Sequence, residues 1–585
     1  MNRPNIVFVL TDDQGYGDLG CHGNPWIRTS NIDGLYRDSL RFTNFHVGPT
    51  CAPTRAGLMT GHYANSTGVW HTIGGRSLLR RDEWTLPSAL GESGYRTGIF
   101  GKWHLGDEYP YRPQDRGFQT SIVHGGGGIS QTPDYWGNDY FDDTYMVNGE
   151  PQTFTGYCTD VFFGEAIAFI EQNKDEPFLC YIAANAPHVP YNVERRYSDL
   201  YMGAVPEARA RFYGMITNID ENLGKLDDKL QALGIRDNTI LIFMTDNGTG
   251  GGCTVDASGY LKEGYNAGLR GVKNSPYDGG HRVPFFMRWP AGGAVGGRDV
   301  KELTANIDFM PTLLDLCGVR VPDGRTFHGT SLKPLIAGNG EVAAGDWPER
   351  ILVTDSQRLM NPVKWRQSAV MTERWRLING KELYDMDDDR EQRNDMANAY
   401  PDIVTALRAE YERWWEIVSG QFAEEIPIVI GDGPSEVTLT CHDWRNEDCI
   451  SPWNQAFIRQ GMKASGYWEI EVAGAGRYEV ELRRWPKEAG HTLTFGMEGD
   501  DIRWRKDVIA EQNWNLYTGG KALPVKQARI KVGEMELEQT VNDDASCASF
   551  QVSLPVGPTH LQAWFSDGAD YEVGAYYVYI RQVNE

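Results

Sequence analysis

The chain opens on a continuous apolar run, Asn5 to Leu10, and similar runs recur at Thr97–Phe100, Phe178–Ile182 and Asn238–Met244. Apolar runs without polar alternation read as strands covered on both faces, the habit of parallel sheets. Between them the period changes. Within residues 205–234, Ile216, Ile219, Leu223, Leu226 and Leu230 fall on one helical face, and Gly234 stops the run. Strands alternating with helices predict an α/β domain over residues 1–345, with a largely parallel central sheet flanked by helices. After a polar, glycine-rich loop near 338–346 the character shifts. Ala369–Met371, Trp375–Ile378 and Glu382–Tyr384 read as short antiparallel strands. A helix follows from about Pro401, with Ile403, Leu407, Tyr411, Trp414 and Val418 on one face. These make a small C-terminal α+β subdomain, 346–425.

From 427 to 585 strict alternation takes over: Tyr478, Val480 and Leu482 interleave with Glu479, Glu481 and Arg483. Runs near 491–497, 528–541, 548–555, 559–565 and 571–583 keep similar spacing, which predicts an added β-sandwich. Its aromatics serve either as a carbohydrate-binding surface or as packing against the α/β domain. Their strand period favours packing.

Charge narrows the function. A net charge of −24 argues against a broad nucleic-acid surface, so a pocket for an anion would have to be built locally. No apolar run reaches the length of a bilayer span, so no membrane partner is expected. The start is too short and poorly flanked for a signal peptide, which places the chain as written in the cytoplasm. If Met1 replaces a removed export signal, the periplasm or secretion applies instead. Nine cysteines are scattered without framework spacing; Cys441 and Cys449 are a possible pair, and a reducing compartment fits the set equally. The oligomeric state has no signal in the sequence.

Chemistry gathers at the strand ends, where open α/β sheets place ligands. Asp12 and Asp13 follow the first strand, and Asp246 and Asn247 follow the strand at Asn238–Met244. Read alone, the first pair is either a turn with a helix cap or half of a metal site. Together the four are oxygen donors suited to a hard divalent cation, which would relieve their mutual repulsion. Lys102 and His104 close a third strand and share a face if the chain stays extended; a surface lysine and a core histidine remain the plain alternative. His188 sits in a proline-bracketed loop after Phe178–Ile182, either structural or held for ligand contact. Cys51 stands just ahead of a short helix that Pro53 enters and Gly61 ends, with Arg55 one turn on. There it is either a buried structural thiol or a group well placed to handle an anion.

The stretch Cys51-Ala52-Pro53-Thr54-Arg55-Ala56-Gly57-Leu58-Met59-Thr60-Gly61 resembles the C-x-P-x-R…L-x-T-G motif of the type I sulfatase family, of alkaline-phosphatase-like fold. Gly101-Lys102-Trp103-His104 and the Lys273…Gly279-Gly280-His281-Arg282-Val283-Pro284 stretch resemble its companion motifs, which span about residues 5 to 290. Asp278 departs from the family's usual glutamate. The resemblance implies that Cys51 is oxidised to formylglycine by a formylglycine-generating enzyme. One hydroxyl of the aldehyde hydrate then attacks sulfur, and deprotonating the other expels sulfate. It implies one calcium ion held by Asp12, Asp13, Cys51, Asp246 and Asn247. It gives catalytic roles to Cys51, Arg55, Lys102, His104, His188 and Lys273, with Lys102, His188 and Lys273 touching the sulfate.

The expected activity is therefore hydrolysis of a sulfate ester, with a small molecule or an oligosaccharide as substrate. Enlarged loops favour a sulfated carbohydrate, with Trp70 and His71 as pocket walls. Phosphonate monoester and phosphodiester hydrolases of the same superfamily are the rival enzymes. A non-catalytic glycan-binding protein is the rival of another class, and the completeness of the motif set argues against it.

Overall fold

Strand β1 (Asn5–Thr11) is buried along its whole length, and its side chains alternate between two separate cores. Ile6, Phe8 and Leu10 enter one, Val7 and Val9 the other. That double burial is why the run shows no polar alternation. The structure, a computed structural model, describes residues 3–337, 347–498 and 519–583. The glycine-rich loop expected near 338–346, and with it the boundary at 345/346, lies outside the described residues.

The main sheet continues with β2 (Leu40–Phe42), β3 (Arg96–Lys102), β4 (Thr120–His124), β5 (Thr144–Val147), β6 (Glu150–Thr153), β7 (Phe178–Ala183), β8 (Thr239–Thr245), β9 (Phe285–Arg288) and β10 (Asp299–Val300). Its order is β10-β2-β9-β8-β1-β7-β3-β4-β5-β6. Strands β8, β1, β7, β3 and β4 run parallel. Antiparallel strands flank them, β9 beside β8 and the β5–β6 hairpin beyond β4. The largely parallel α/β sheet expected from the sequence is therefore present.

Helices cover both faces. On one side α1 (Cys51–Thr60) packs through Ala52, Ala56, Leu58 and Met59. On the other lie α2 (Cys158–Asn173) and α3 (Glu207–Ala232), where Ile219, Leu223, Leu226 and Leu230 form the predicted stripe. Among the described residues no helix is long and apolar enough to cross a membrane.

The small antiparallel sheet is β11 (Leu352–Asp355), β12 (Ser368–Met371), β13 (Trp375–Ile378) and β14 (Glu382–Asp385). Helix α4 (Pro401–Ser419) covers it with Val404, Leu407, Tyr411, Trp414 and Val418, while Ile403 is only half-buried.

Two further sheets follow. One is ordered β15 (Ile428–Ile430), β17 (Tyr467–Val472), β22 (Gly557–Ser566), β19 (Gln527–Val532), β20 (Met535–Thr540), with β23 (Glu572–Gly574) also on β22. The other is β16 (Glu436–Thr440), β24 (Tyr577–Val583), β18 (Gly476–Arg483), β21 (Ala548–Leu554). Both contribute to one core, Ile470, Ile530 and Leu561 from the first meeting Val437, Val480 and Ile580 from the second, which makes a sandwich. Leu78 and Tyr111 of the α/β domain belong to that core as well.

One expectation fails here. Residues 491–497 are a loop: Phe495 closes a turn onto the Thr492 carbonyl and its ring stacks on His491 at 4.2 Å, a contact that an extended strand does not allow. Cys441 and Cys449 are not paired. All nine cysteines are free thiols, and Cys441 Sγ lies 3.3 Å from the Pro452 carbonyl.

Arg376 of β13 ties the small sheet to the main domain. It is fully buried and its Nε donates to Asp278 Oδ1 at 3.0 Å. Burial works to raise the Asp278 carboxyl, but Arg376, with help from His46, His281 and Arg282, outweighs it and holds the group well below the usual carboxylate range. That stabilisation is complete above the unfolded value of roughly 4 and is lost as pH falls through the lower folded value. Arg376→Met is therefore expected to cost about 3–5 kcal/mol at pH 7, because it leaves the buried carboxylate with only the longer 3.5 Å contact to Arg282. The deficit in urea or thermal midpoint should narrow as pH drops below about 4.

Candidate active site

Thr50 caps α1 in extended conformation and Cys51 is its first residue, so the cysteine lies within the first turn instead of ahead of it. Gly61 ends the helix at φ 72°, its N–H on the Gly57 carbonyl, as its position predicts. Every residue of the helix is buried, and Cys51 is only 2% exposed. Burial raises its thiol, against the pull of Lys102 and Lys273. The unmodified sulfur is thus held as a neutral thiol, a poor nucleophile.

The carboxylates reach this helix start because β1 and β8 are in register, Thr11 opposite Thr245. Asp13 N–H donates to Asp246 Oδ1 at 3.1 Å, and Asn247 Nδ2 to Asp13 Oδ1 at 2.9 Å. Ligand atoms of Asp12, Asp13 and Cys51 all lie within 4.8 Å of one another. Two oxygens in this group, Asp12 Oδ1 and Asn247 Oδ1, are buried with no hydrogen-bond partner among the described residues. Burial and repulsion from Asp12 push Asp246 up to about 7, although Arg55 and Lys102 oppose the shift. Unpaired oxygens among crowded carboxylates are what a hard cation satisfies, so the donor set fits calcium or a similar ion.

Three cationic side chains and a neutral histidine surround the carboxylates. Lys102 Nζ donates to Asp12 Oδ2 at 2.5 Å, and Lys273 Nζ lies 2.6 Å from Asp13 Oδ1. His188 Nε2 stands 3.7 Å from Asp13 Oδ2. Its Nδ1 lies 2.7 Å from the Val189 carbonyl, which makes Nδ1 the protonated nitrogen and Nε2 the position where a proton comes and goes. Burial, with Lys273 and Lys102 adding and Asp13 opposing, pushes His188 down to about 3. Arg55 lies beneath the carboxylates. Its guanidinium is spent on Asp246 Oδ2 at 3.0 Å, the Lys102 carbonyl at 2.9 Å and Tyr181 Oη at 3.4 Å. It braces the carboxylates from below.

His104 also departs from the extended geometry expected of it. Strand β3 ends at Lys102 and His104 adopts φ 61°, so the two-residue alternation stops between them. Its Nε2 lies 3.0 Å from the Thr72 carbonyl, which fixes Nε2 as the donor. Nδ1 keeps its lone pair, buried and without a partner among the described residues. Burial and Lys102 drive this histidine well below its ordinary value, so it is a neutral base at physiological pH.

Trp70 and His71 are less open than pocket walls would be. Trp70 is 2% exposed, its Nε1 on the Leu359 carbonyl, its ring under Arg76 and against Phe422. His71 Nδ1 accepts the Thr72 and Ile73 N–H groups. Sequence reasoning missed Tyr181 beside Arg55, and it missed His442, whose ring centre lies 6.3 Å from that of His104. Tyr181 sits in a strand core where only register reveals its neighbours. His442 belongs to a segment without a motif.

Two family models match the chain: Sulfatase over residues 4–319, and N-sulphoglucosamine sulphohydrolase, C-terminal, over residues 273–414. Human arylsulfatase A is 31% identical over 368 residues, covering 58% of this chain and 68% of that protein. Human N-acetylgalactosamine-6-sulfatase is 30% identical over 359 residues, covering 57% and 66%. Among solved structures, Ps i-CgsB in complex with k-i-k-neocarrahexaose superposes with a TM-score of 0.62 at 26% identity, covering 72% of this chain and 98% of that one. The first model spans more than half of the 585 residues, so the chain belongs to the sulfatase family, within the alkaline-phosphatase superfamily, and is an enzyme that hydrolyses sulfate esters.

Proposed function

We propose that this enzyme removes sulfate from a sulfated carbohydrate, using formylglycine made from Cys51 and one calcium ion. The observation that carries the reading is the meeting of Cys51 with Asp12 and Asp13 inside 4.8 Å, with Lys102 and Lys273 paired to those two carboxylates. The family generally depends on calcium and formylglycine. Two likenesses support the substrate class: a relative named for N-acetylgalactosamine 6-sulfate and a neighbour holding a neocarrahexaose.

Asp12, Asp13, Asp246 and Asn247, with the oxidised residue 51, would hold the ion, which supplies positive charge for the sulfate and nucleophile oxygens. The formylglycine hydrate supplies two hydroxyls on one carbon, one to attack sulfur and one whose deprotonation releases sulfate. Lys102 and Lys273 stabilise the negative charge that moves onto the sulfate oxygens, inside a site that excludes water. His104 Nδ1 is the lone pair available to take a hydroxyl proton. His188 Nε2, protonated once an anion is bound beside it, gives its proton to the leaving alcohol.

Protein produced with a formylglycine-generating enzyme should carry the aldehyde at residue 51, detected by mass spectrometry of the tryptic peptide. Full turnover by material holding only unmodified Cys51 would remove it as nucleophile. Calcium should raise the melting temperature more at pH 8 than at pH 5, since the carboxylates bind it ionised; at a hundredfold excess over Kd the gain is about 2.7 kcal/mol. Asp246→Ala should erase most of that shift, and a shift unchanged in the variant would contradict the ligand set. His188→Ala should slow a sulfated sugar more than a nitrophenyl sulfate, because only the sugar alkoxide needs a proton on leaving. Equal losses on the two substrates would limit His188 to sulfate binding.

A further inference from the structure

Both family models end by residue 414, yet the sandwich beyond it touches the active site from two sides. The first contact runs through the loop after β4. Of its four successive glycines, Gly125 to Gly128, the last two lie directly on the two site histidines. A Cβ on Gly127 would fall 2.3 Å from His104 Cε1, and one on Gly128 3.2 Å from His188 Nδ1. A glycine run offers close approach but carries the largest conformational entropy to lose, so its order has to be imposed from outside.

Gln455 imposes much of it. The residue is 1% exposed, and its Nε2 faces the carbonyls of Gln131, Asp134 and Tyr135 at 3.2–3.3 Å. Its Oε1 accepts the Gly137 N–H at 3.1 Å, and its own N–H donates to the Ser130 carbonyl at 3.1 Å. One side chain from the sandwich thus satisfies four backbone groups of the loop. Three carbonyls converging on one atom fix the amide orientation, with nitrogen inward. Thr132 N–H adds a bond to the Trp453 carbonyl at 2.9 Å. Gln131, pinned in this way, accepts the Gly127 N–H at 2.9 Å, which passes the constraint to the glycine against His104.

The second contact is His442, 1% exposed, beside His104. Its carbonyl accepts the Gly74 N–H at 2.8 Å. Gly74 is two residues from Thr72, whose carbonyl sets the His104 tautomer. His442 Nδ1 lies 3.3 Å from Asp443 Oδ1, which fixes the ring, and its Nε2 is buried without a partner among the described residues.

We propose that the C-terminal sandwich is a working part of the hydrolytic site: Gln455 positions the 125–131 loop over His104 and His188, and His442 positions His104 together with the Thr72 carbonyl. The proposal rests on the roles given above to the two histidines. A module that only bound glycans would have no need to satisfy the backbone of a loop lying on them.

The test uses the full-length, formylglycine-bearing enzyme with calcium, assayed well below every variant's melting temperature. Gln455→Ala and Gln455→Glu should each lower kcat roughly 10- to 100-fold, the scale of a catalytic group misplaced by about an ångström, with KM changed by less than about threefold. The glutamate keeps the volume but turns an oxygen toward three carbonyls, so it should be no better than alanine. His442→Ala should show the same split between kcat and KM. Arg529→Ala, on the outer face of the sandwich where it pairs with Glu536 and Glu572, should leave both constants unchanged. A kcat within about threefold of wild type, even with a lowered melting temperature, overturns the role of the residue tested. Folded, oxidised wild-type enzyme inert toward all sulfate esters would instead overturn the histidine roles themselves.

Discussion

Like charges crowded into a dry place are the constraint on which this structure turns. Parallel pairing of β1 with β8 brings Asp12, Asp13 and Asp246 to adjacent strand ends, all but fully buried. Such a group is tolerated only if positive charge surrounds it. Arg55 answers from below, Lys102 from β3, and Lys273 from the loop before Asp278. The same cations that make the carboxylates tolerable stand ready for a sulfate. An enzyme with a net charge of −24 thereby concentrates its positive charge in one spot, where an anion has to arrive.

The neutral state of the two histidines belongs to the same arrangement. Burial and the lysines keep both His104 and His188 neutral, and carbonyls of Thr72 and Val189 decide which nitrogen is free. Each ring therefore offers one defined lone pair.

Much of this was legible in the sequence because each part sits on a contiguous stretch with its own period. Strand β1 carries Asp12 and Asp13 at its carboxyl end, β8 carries Asp246 and Asn247, and the helix of Cys51 shows both its entry and its exit. What failed was orientation. Arg55 is one turn from Cys51, but only the packed helix shows that its guanidinium turns toward Asp246. Lys102 and His104 were assigned to one face on the assumption of extended backbone, which the left-handed His104 breaks. Residues 491–497 alternate like a strand and yet form a turn held by a ring stack. His442 and Gln455 were out of reach altogether, since their contacts cross more than 300 residues and need three-dimensional pairing to exist.

Leu78 and Tyr111 carry a consequence for how this polypeptide can be handled. Both are contributed by the α/β domain, and both are buried only because they finish the interior of the sandwich. A chain cut near residue 426 would leave a gap in the sandwich interior of one piece and an apolar, solvent-facing patch at Leu78 and Tyr111 on the other. Such a patch invites self-association. Expression of the family-matching portion alone should accordingly give aggregates before it gives an inactive soluble enzyme, and modular shuffling of the tail would be selected against for reasons of solubility.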